Sequence, residues 1–342
     1  MIKHPKFSIA IPTYNRRATF LPQAIQGVLQ QSYTDFELII SDNGSNDGTG
    51  EYVRSLDDAR IRYIRHEQTL SAGEHFSTML KKAIGEYVIL HQDDDLLHKD
   101  FLDRADKAFI EHPDSVMYGT PIWRQEHGHG YHSRLMRPRN GHDDIAIICD
   151  NLIIFDGDYA AIQFFDPIRH FLHPTLAIRN SVLNNIGGFD SMPTYQTDLV
   201  TQARLLFQGT LIYDPRPGGV SRVHPENFMR TKDRKFRKIF FHNSYIELIN
   251  AFQKACLPWQ TLLEEYLLHL SEKEIIACLF EWTYYQAPIE LQKFGFIALR
   301  NKSKSDLHYY RQCITKLGLR NLTRHLISIL LQSSEKSWSI NQ

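Results

Sequence analysis

Four short apolar runs, at residues 7–11, 36–40, 61–64 and 87–90, alternate with stretches whose apolar residues recur at helical spacing. Leu21, Ala24, Ile25, Val28 and Leu29 form one such stripe. Phe76, Met79, Leu80, Ala83 and Ile84 form another, with Gly85 placed to end it. Apolar runs of this length bounded by turn residues read as buried strands, the first stopped by Pro12. Strands alternating with helices imply βαβ units around a parallel sheet, so the expected fold class is α/β. Ligands of such sheets bind beyond the carboxyl ends of the strands. Three polar motifs fall there: Pro12-Thr13-Tyr14-Asn15, Ser41-Asp42-Asn43-Gly44 and Asp93-Asp94-Asp95.

The acidic triplet is the most telling of the three. Three like charges at the end of an apolar strand repel one another unless a cation lies among them. Oxygen-only clusters suit Mg²⁺ or Mn²⁺, and such ions in α/β folds commonly hold a phosphate. The plainer alternative is a solvated acidic turn.

Charge is balanced over the whole chain, 39 Lys and Arg against 39 Asp and Glu, but not along it. Residues 226–342 hold 17 basic and 11 acidic side chains, which points to an anionic partner for the tail. Within it, residues 300–324 carry seven Lys or Arg and one acidic residue, Asp306. Such a run is most simply a solvated helix face; peripheral docking at anionic lipid is the other reading. Cys149, Cys256, Cys278 and Cys313 form no CxxC pair, which argues against zinc and fits a reducing compartment. The first residues lack the apolar core of a signal peptide, and no stretch reaches the roughly 18 apolar residues of a membrane span. A cytoplasmic location is expected, at most peripheral to a membrane, with no nucleic-acid partner and with an oligomer left open.

Residues 113–170 show no clear period and read as an irregular insertion. Helical signal returns near Asp198 to Leu206 and dominates from about Phe236. Leu262, Leu263, Tyr266, Leu267 and Leu270 give one apolar face, and Leu319, Leu322, Leu326, Ile329 and Leu330 another. Pro258 and Pro288 read as breaks between helices.

The three strand-end motifs, followed by Gly187-Gly188-Phe189-Asp190 and Arg222-Val223-His224, resemble in order the signatures of glycosyltransferase family 2. The resemblance covers roughly residues 6–228. It implies a GT-A (Rossmann-like) nucleotide-sugar-binding domain over residues 1–228 and leaves a helical C-terminal region over 229–342. It also implies a nucleotide-sugar donor, most simply a UDP-sugar, a Mn²⁺ or Mg²⁺ cofactor, and inversion at the anomeric carbon. The acceptor would be a glycan or lipid-linked saccharide, in bacterial surface polysaccharide synthesis.

Carried over residue by residue, Pro12, Thr13, Tyr14 and Asn15 would line the nucleotide, although Asn15 also suits a helix cap. Asp42 would accept from a base N–H, against the alternative of an Asx turn; Asp47 reads as turn structure. Ser71-Ala72-Gly73, before the second helix, is a weaker candidate for approach to the donor. Asp94 would be the principal metal ligand, Asp93 would face the donor ribose or metal, and Asp95 and His224 would complete the metal set. Gln92 departs from the family pattern, so which two of the three Asp touch metal stays open. Arg222 would neutralise phosphate charge. Asp198 matches the catalytic base, although a Thr precedes it where relatives carry Glu and a helix N-cap would also suit it. His173-Pro174-Thr175 reads as structural. The rival readings are a sugar nucleotidyltransferase, which lacks its Gly-rich phosphate loop here, and a non-catalytic nucleotide-sugar binder.

Overall fold

A computed structural model describes residues 4–126, 129–132, 152–165, 173–188, 197–227, 231 and 234–268. The expectations at Phe189, Asp190, Leu270, Pro288, the 319–330 stripe and the basic run 300–324 lie outside these residues. Among them the chain divides into two compact units, one holding residues up to 157 and 173–224, the other 158–165 and those from 225 onward.

The first unit is built on an eight-stranded sheet in the order β3-β2-β1-β4-β10-β6-β11-β9. Its parallel half comprises β1 (Phe7–Thr13), β2 (Phe36–Asp42), β3 (Ile61–Arg65) and β4 (Tyr87–Leu90). The strands β6 (Ser115–Gly119), β9 (Ile153–Phe155), β10 (Leu176–Arg179) and β11 (Thr210–Tyr213) extend it. β10 is antiparallel to both β4 and β6, so the sheet is mixed. β1, β2 and β4 are buried along their whole length, which is why they read as continuous apolar runs rather than alternating ones. β1 runs two residues further than its apolar run suggests. Pro12 pairs only with β2, at Ser41, because the β4 ladder has already ended at Ala10 and Leu90.

One sheet face is covered by α1 (Leu21–Leu29) and α4 (Phe101–Glu111). They bury Leu21, Ala24, Ile25 and Val28, and Phe101, Leu102, Ala105, Ala108 and Phe109, in one core with Phe7, Ile9, Ile11, Leu38, Ile40 and Ile89. Each Val, Leu, Ile or Phe among them contributes about 1.5–3 kcal/mol through removal from water. Helix α2 (Thr49–Ser55) follows β2. Helix α3 (Ala72–Leu80) starts at a capping box, Ser71 with Glu74, and stops at Leu80, short of the expected Ile84, which is exposed.

A second sheet, in the order β5-β12-β7-β8, joins β5 (Leu96–Leu97), β7 (Trp123–Glu126), β8 (His129–His132) and β12 (Gly219–Val223). Gly219 is required for the close approach of β12 to β5: a Cβ there would lie 2.4 Å from the Leu96 carbonyl oxygen. The expected irregular insertion at 113–170 thus holds strands. They escape sequence reading because β7, β8 and β9 are three or four residues long, and β6 (SVMYG) opens on Ser and closes on Gly. Helices α6 (Asn180–Asn185) and α7 (Thr197–Leu206) complete the first unit, while α5 (Gly157–Ile162) falls, but for Gly157, in the second.

The second unit packs α8 (Arg234–Lys254) and α9 (Trp259–Leu268) with residues 158–165. Phe165 stacks on Trp259, centroids 5.8 Å apart, and meets Phe252 at 6.0 Å. Pro258 falls between the two helices, where a break is expected. No helix among the described residues is long and apolar enough to cross a membrane.

Candidate active site at the β1–β4 switch point

Strand order reverses between β1 and β4, the crevice where open α/β sheets bind ligands. The acidic triplet stands there. The Thr13 hydroxyl, on the last residue of β1, donates to Asp93 Oδ2 at 2.8 Å. Burial and the neighbouring Asp94 charge push the Asp93 carboxyl up to about 7, against the opposing pull of Thr13, Arg16 and Arg222. Asp94 Oδ2 lies 3.0 Å from Nε2 of His224, which follows β12.

Asp95 faces the other way. Its Oδ1 accepts the Arg222 backbone N–H at 3.0 Å, so the carboxylate holds β12 in place beside β5. Burial, then repulsion from Asp94, raises its pKa. Sequence reasoning grouped Asp95 with the metal ligands; here it serves first as the clamp on β12.

Arg222 donates through Nε to the Asp94 carbonyl and through Nη1 to Gln23 Oε1 of α1. Its guanidinium lies 4.7 Å over the Phe20 ring, and the same ring meets His224 at 4.4 Å. Phe20 and Gln23 therefore set the Arg222 guanidinium and the His224 imidazole against Asp94. Neither is marked by any sequence pattern, because their roles arise only from contacts some 200 residues away along the chain.

The loops after β1 and β2 are tied together. Asn15, at φ 54°, donates its backbone N–H to Ser45 Oγ and accepts from the Asn46 N–H through Oδ1, both at 2.9 Å. It does not cap α1, whose N-cap is Phe20. Asp47 accepts from the Arg17 and Thr49 backbone N–H groups, the turn role expected of it. Tyr14 is half exposed beside these loops.

Asp42, expected against a base, is fully buried. Its carboxylate already accepts from Ser45 N at 2.7 Å, from the Tyr63 hydroxyl at 2.5 Å and from Arg65 Nη1 at 3.4 Å. It shapes the loop floor rather than presenting a free acceptor, the Asx-turn reading extended by tertiary partners. Asn43 clamps Leu70 by both backbone groups. Behind it, the Ser41 hydroxyl lies 3.1 Å from His66 Nε2 and 2.9 Å from His75 Nε2.

Asp198 lies in the first turn of α7, with Oδ1 accepting the Leu199 N–H at 2.8 Å. Thr175 is buried and bonded to the Thr120 carbonyl. Gly187 and Gly188 both adopt positive φ just after α6.

The donor set fits a hard divalent cation. Asp94 supplies an oxygen and His224 an imidazole, and the repulsion that raises Asp93 would be relieved by a positive ion. Among the described residues no group of three or more His, Cys, Asp or Glu side chains is placed to hold a metal ion. Mg²⁺ and Mn²⁺ sites completed by water and phosphate do not require one.

The mixed sheet, the switch-point site and the strand order define a GT-A-type fold. Solved structures agree: Staphylococcus aureus TarS residues 1–349, in complex with UDP, superposes with TM-score 0.60 at 17% identity over 96% of this chain and 89% of that one. The Pyrobaculum calidifontis mannosyltransferase PcManGT, in complex with GDP-Man and Mn²⁺, gives TM-score 0.53 at 15% identity, covering 98% and 88%. The family profile described as Glycosyl transferase family 2 matches residues 8–178, and the chain belongs to that family. Among curated relatives, the Escherichia coli UDP-Glc:alpha-D-GlcNAc-diphosphoundecaprenol beta-1,3-glucosyltransferase WfgD is 31% identical over 113 residues, 33% of this chain and 44% of its own length. The Campylobacter jejuni GalNAc(5)-diNAcBac-PP-undecaprenol beta-1,3-glucosyltransferase is 36% identical over 96 residues, 27% of this chain and 31% of its own. The matches thus span less than half of either relative.

Proposed function

We propose that the chain is a metal-dependent, inverting glycosyltransferase that moves a sugar from a nucleoside diphosphate donor, first of all a UDP-sugar, onto a hydroxyl of a glycan or lipid-linked saccharide. The observation that carries this reading is the Thr13–Asp93 and Asp94–His224 pairing at the switch point. The names of the two curated relatives, both glucosyltransferases with undecaprenol diphosphate-linked acceptors, favour that acceptor class. The UDP in TarS and the Mn²⁺ in the mannosyltransferase favour the donor and cofactor.

In this reading Tyr14 and the tied loops after β1 and β2 receive the nucleoside, with Asp42 acting from beneath as their brace. Asp94 and His224 would hold Mn²⁺ or Mg²⁺, with Asp93 beside them. The ion would supply the Lewis acidity that stabilises the departing diphosphate. Arg222 adds fixed positive charge where negative charge develops. Asp198 takes the acceptor hydroxyl proton as that oxygen attacks the anomeric carbon, and a single displacement inverts it. The setting would be bacterial surface polysaccharide synthesis on the cytoplasmic side, with the helical region from residue 229 serving acceptor, membrane-surface or oligomer contacts.

Calorimetric titration with UDP, dTDP, GDP and CDP, with and without Mn²⁺, tests this. Binding of one nucleotide that needs Mn²⁺ and disappears in Asp94→Ala is the expected result. A chain that binds none of the four under either condition is not a glycosyltransferase of this kind.

A further inference from the structure

Strand β4 ends in an apolar core, yet the residue that follows it is polar. His91 donates its backbone N–H to the Ala10 carbonyl at 2.9 Å, so the tie between β4 and β1 runs on past Leu90. Ala10 stands opposite Leu90 in that ladder, which sets Ile11 opposite His91. Matched residues on neighbouring strands share a sheet face, and so do alternate residues along one strand. Ile11 and Ile89 both lie in the core with α1 and α4, and the His91 ring belongs on their face. It is fully buried, as they are.

Neither ring nitrogen of His91 has a hydrogen-bond partner among the described residues. A neutral imidazole carries one N–H donor and one lone-pair acceptor, and burying either without a partner costs stability. A leucine in the same space would incur no such cost. The ring also stays neutral: burial first, then the Arg222 charge, press its pKa down to about 3. Arg222 is the same residue that reaches the Asp94 carbonyl, Gln23 and the Phe20 ring. Cores keep a destabilising polar group where function needs it, and function lies close by. Asp93 follows His91 at i+2, and Arg222 is the cation that meets the donor's diphosphate in the reading above.

We propose that His91 is a positioning residue of the donor site, whose ring accepts a hydrogen bond from Arg222, directly or through one buried water, when metal and nucleotide bind. The ring's partner arrives with the ligand. As the guanidinium turns its outer N–H groups to the phosphate oxygens, an acceptor behind it fixes the plane of the fork, which has five donors to share. Arg222, not His91, touches the diphosphate. This role deepens the glycosyltransferase reading and rests on it.

The test uses the full chain with His91→Leu and His91→Gln. Thermal unfolding is followed without ligands, and affinity is read by calorimetry in Mn²⁺ with UDP, or whichever of the four nucleotides the titration above selects. His91→Leu should raise the unfolding midpoint of the free protein by about 2–4 °C. The same variant should bind the nucleotide about three- to ten-fold more weakly. His91→Gln keeps an acceptor, so it should retain most of the affinity and lose the gain in midpoint. NMR of wild type with isotope-labelled histidine nitrogens, with Mg²⁺ replacing Mn²⁺, should show the lone-pair nitrogen of His91 shifting only when nucleotide and metal are both present. A His91→Leu chain that is more stable and binds as tightly as wild type overturns the role. So does one less stable than wild type, since the ring is then bonded in the free protein already. Failure of wild type to bind any of the nucleotides overturns the donor reading beneath it, whatever the midpoints show.

Discussion

Phe20 shows how a residue with no chemistry of its own can set a site. Its ring lies against both the Arg222 guanidinium and the His224 imidazole, and so holds the two β12-end side chains at Asp94. Phe20→Leu keeps the volume and loses the ring face; it should weaken Mn²⁺-supported nucleotide binding by about three- to ten-fold, and Phe20→Tyr should restore it. Electron paramagnetic resonance of Mn²⁺ titrated into each variant with nucleotide reads this directly. Equal affinity in Phe20→Leu would reduce Phe20 to packing.

A second residue-scale expectation concerns His75. Burial first, and then the His66 charge, press its pKa down to about 4. The unfolded chain takes up this proton near the ordinary histidine value of about 6.5, while the folded chain resists until about 4. Across that window the unfolded state binds more protons, so stability falls as pH falls. His75→Gln, which removes the titration, should flatten the slope of denaturant stability between those two pH values.

At the scale of elements, the loop between β11 and β12 decides where Arg222 and His224 arrive. Asp214, fully buried, accepts from Arg104 and Arg216 at 2.9 Å and from the Tyr118 hydroxyl at 2.7 Å. Arg104 also donates to the Arg216 and Pro217 carbonyls, so one α4 side chain pins the loop. Burial alone would raise the Asp214 carboxyl, but Arg216, Arg104 and Tyr118 hold it below its ordinary value. Its stabilisation is therefore complete above the unfolded carboxylate pKa and is lost as pH falls through the lower folded one. Asp214→Ala leaves Arg104 with Asp100 as its one carboxylate partner and the Tyr118 hydroxyl without its acceptor, and should cost about 1–3 kcal/mol in chemical denaturation.

The elements also show what a sequence reveals. β1, β2 and β4 are legible because both of their faces are buried, and the triplet is legible because three like charges stand out at the end of an apolar run. β5, two residues long, and β12, with Ser221 and Arg222 in five residues, carry no such pattern. They exist through pairing with each other and with β7. The burial of Asp42 is equally hidden, since Tyr63 and Arg65 reach it from the neighbouring strand.

At the scale of the molecule, the expected boundary at residue 228 and the two compact units differ among the described residues at 225–227 and, more tellingly, at an internal segment. Residues 158–165 precede that boundary but belong with the helices after it. Phe165 is fully buried and meets Phe252 and Trp259. A chain truncated after residue 228 loses both ring partners and should aggregate on size-exclusion chromatography. Phe165→Ser in that truncated chain should shift material back toward the monomer peak, whereas in the full chain the same change should destabilise, as emptying a core aromatic site does.

The clamps on the triplet span a long stretch of sequence: Asp95 to Arg222, and Asp94 to His224. During synthesis the N-terminal strands and helices can fold as they emerge, since chains fold from the N-terminus at ribosomal pace. For the time needed to translate a further 130 residues, at about 5–20 per second, the nascent crevice holds three carboxylates with neither Arg222 nor His224. The ribosome therefore exposes a half-built crevice for several seconds, and the clamps on the triplet close only after residue 224 has cleared the exit tunnel.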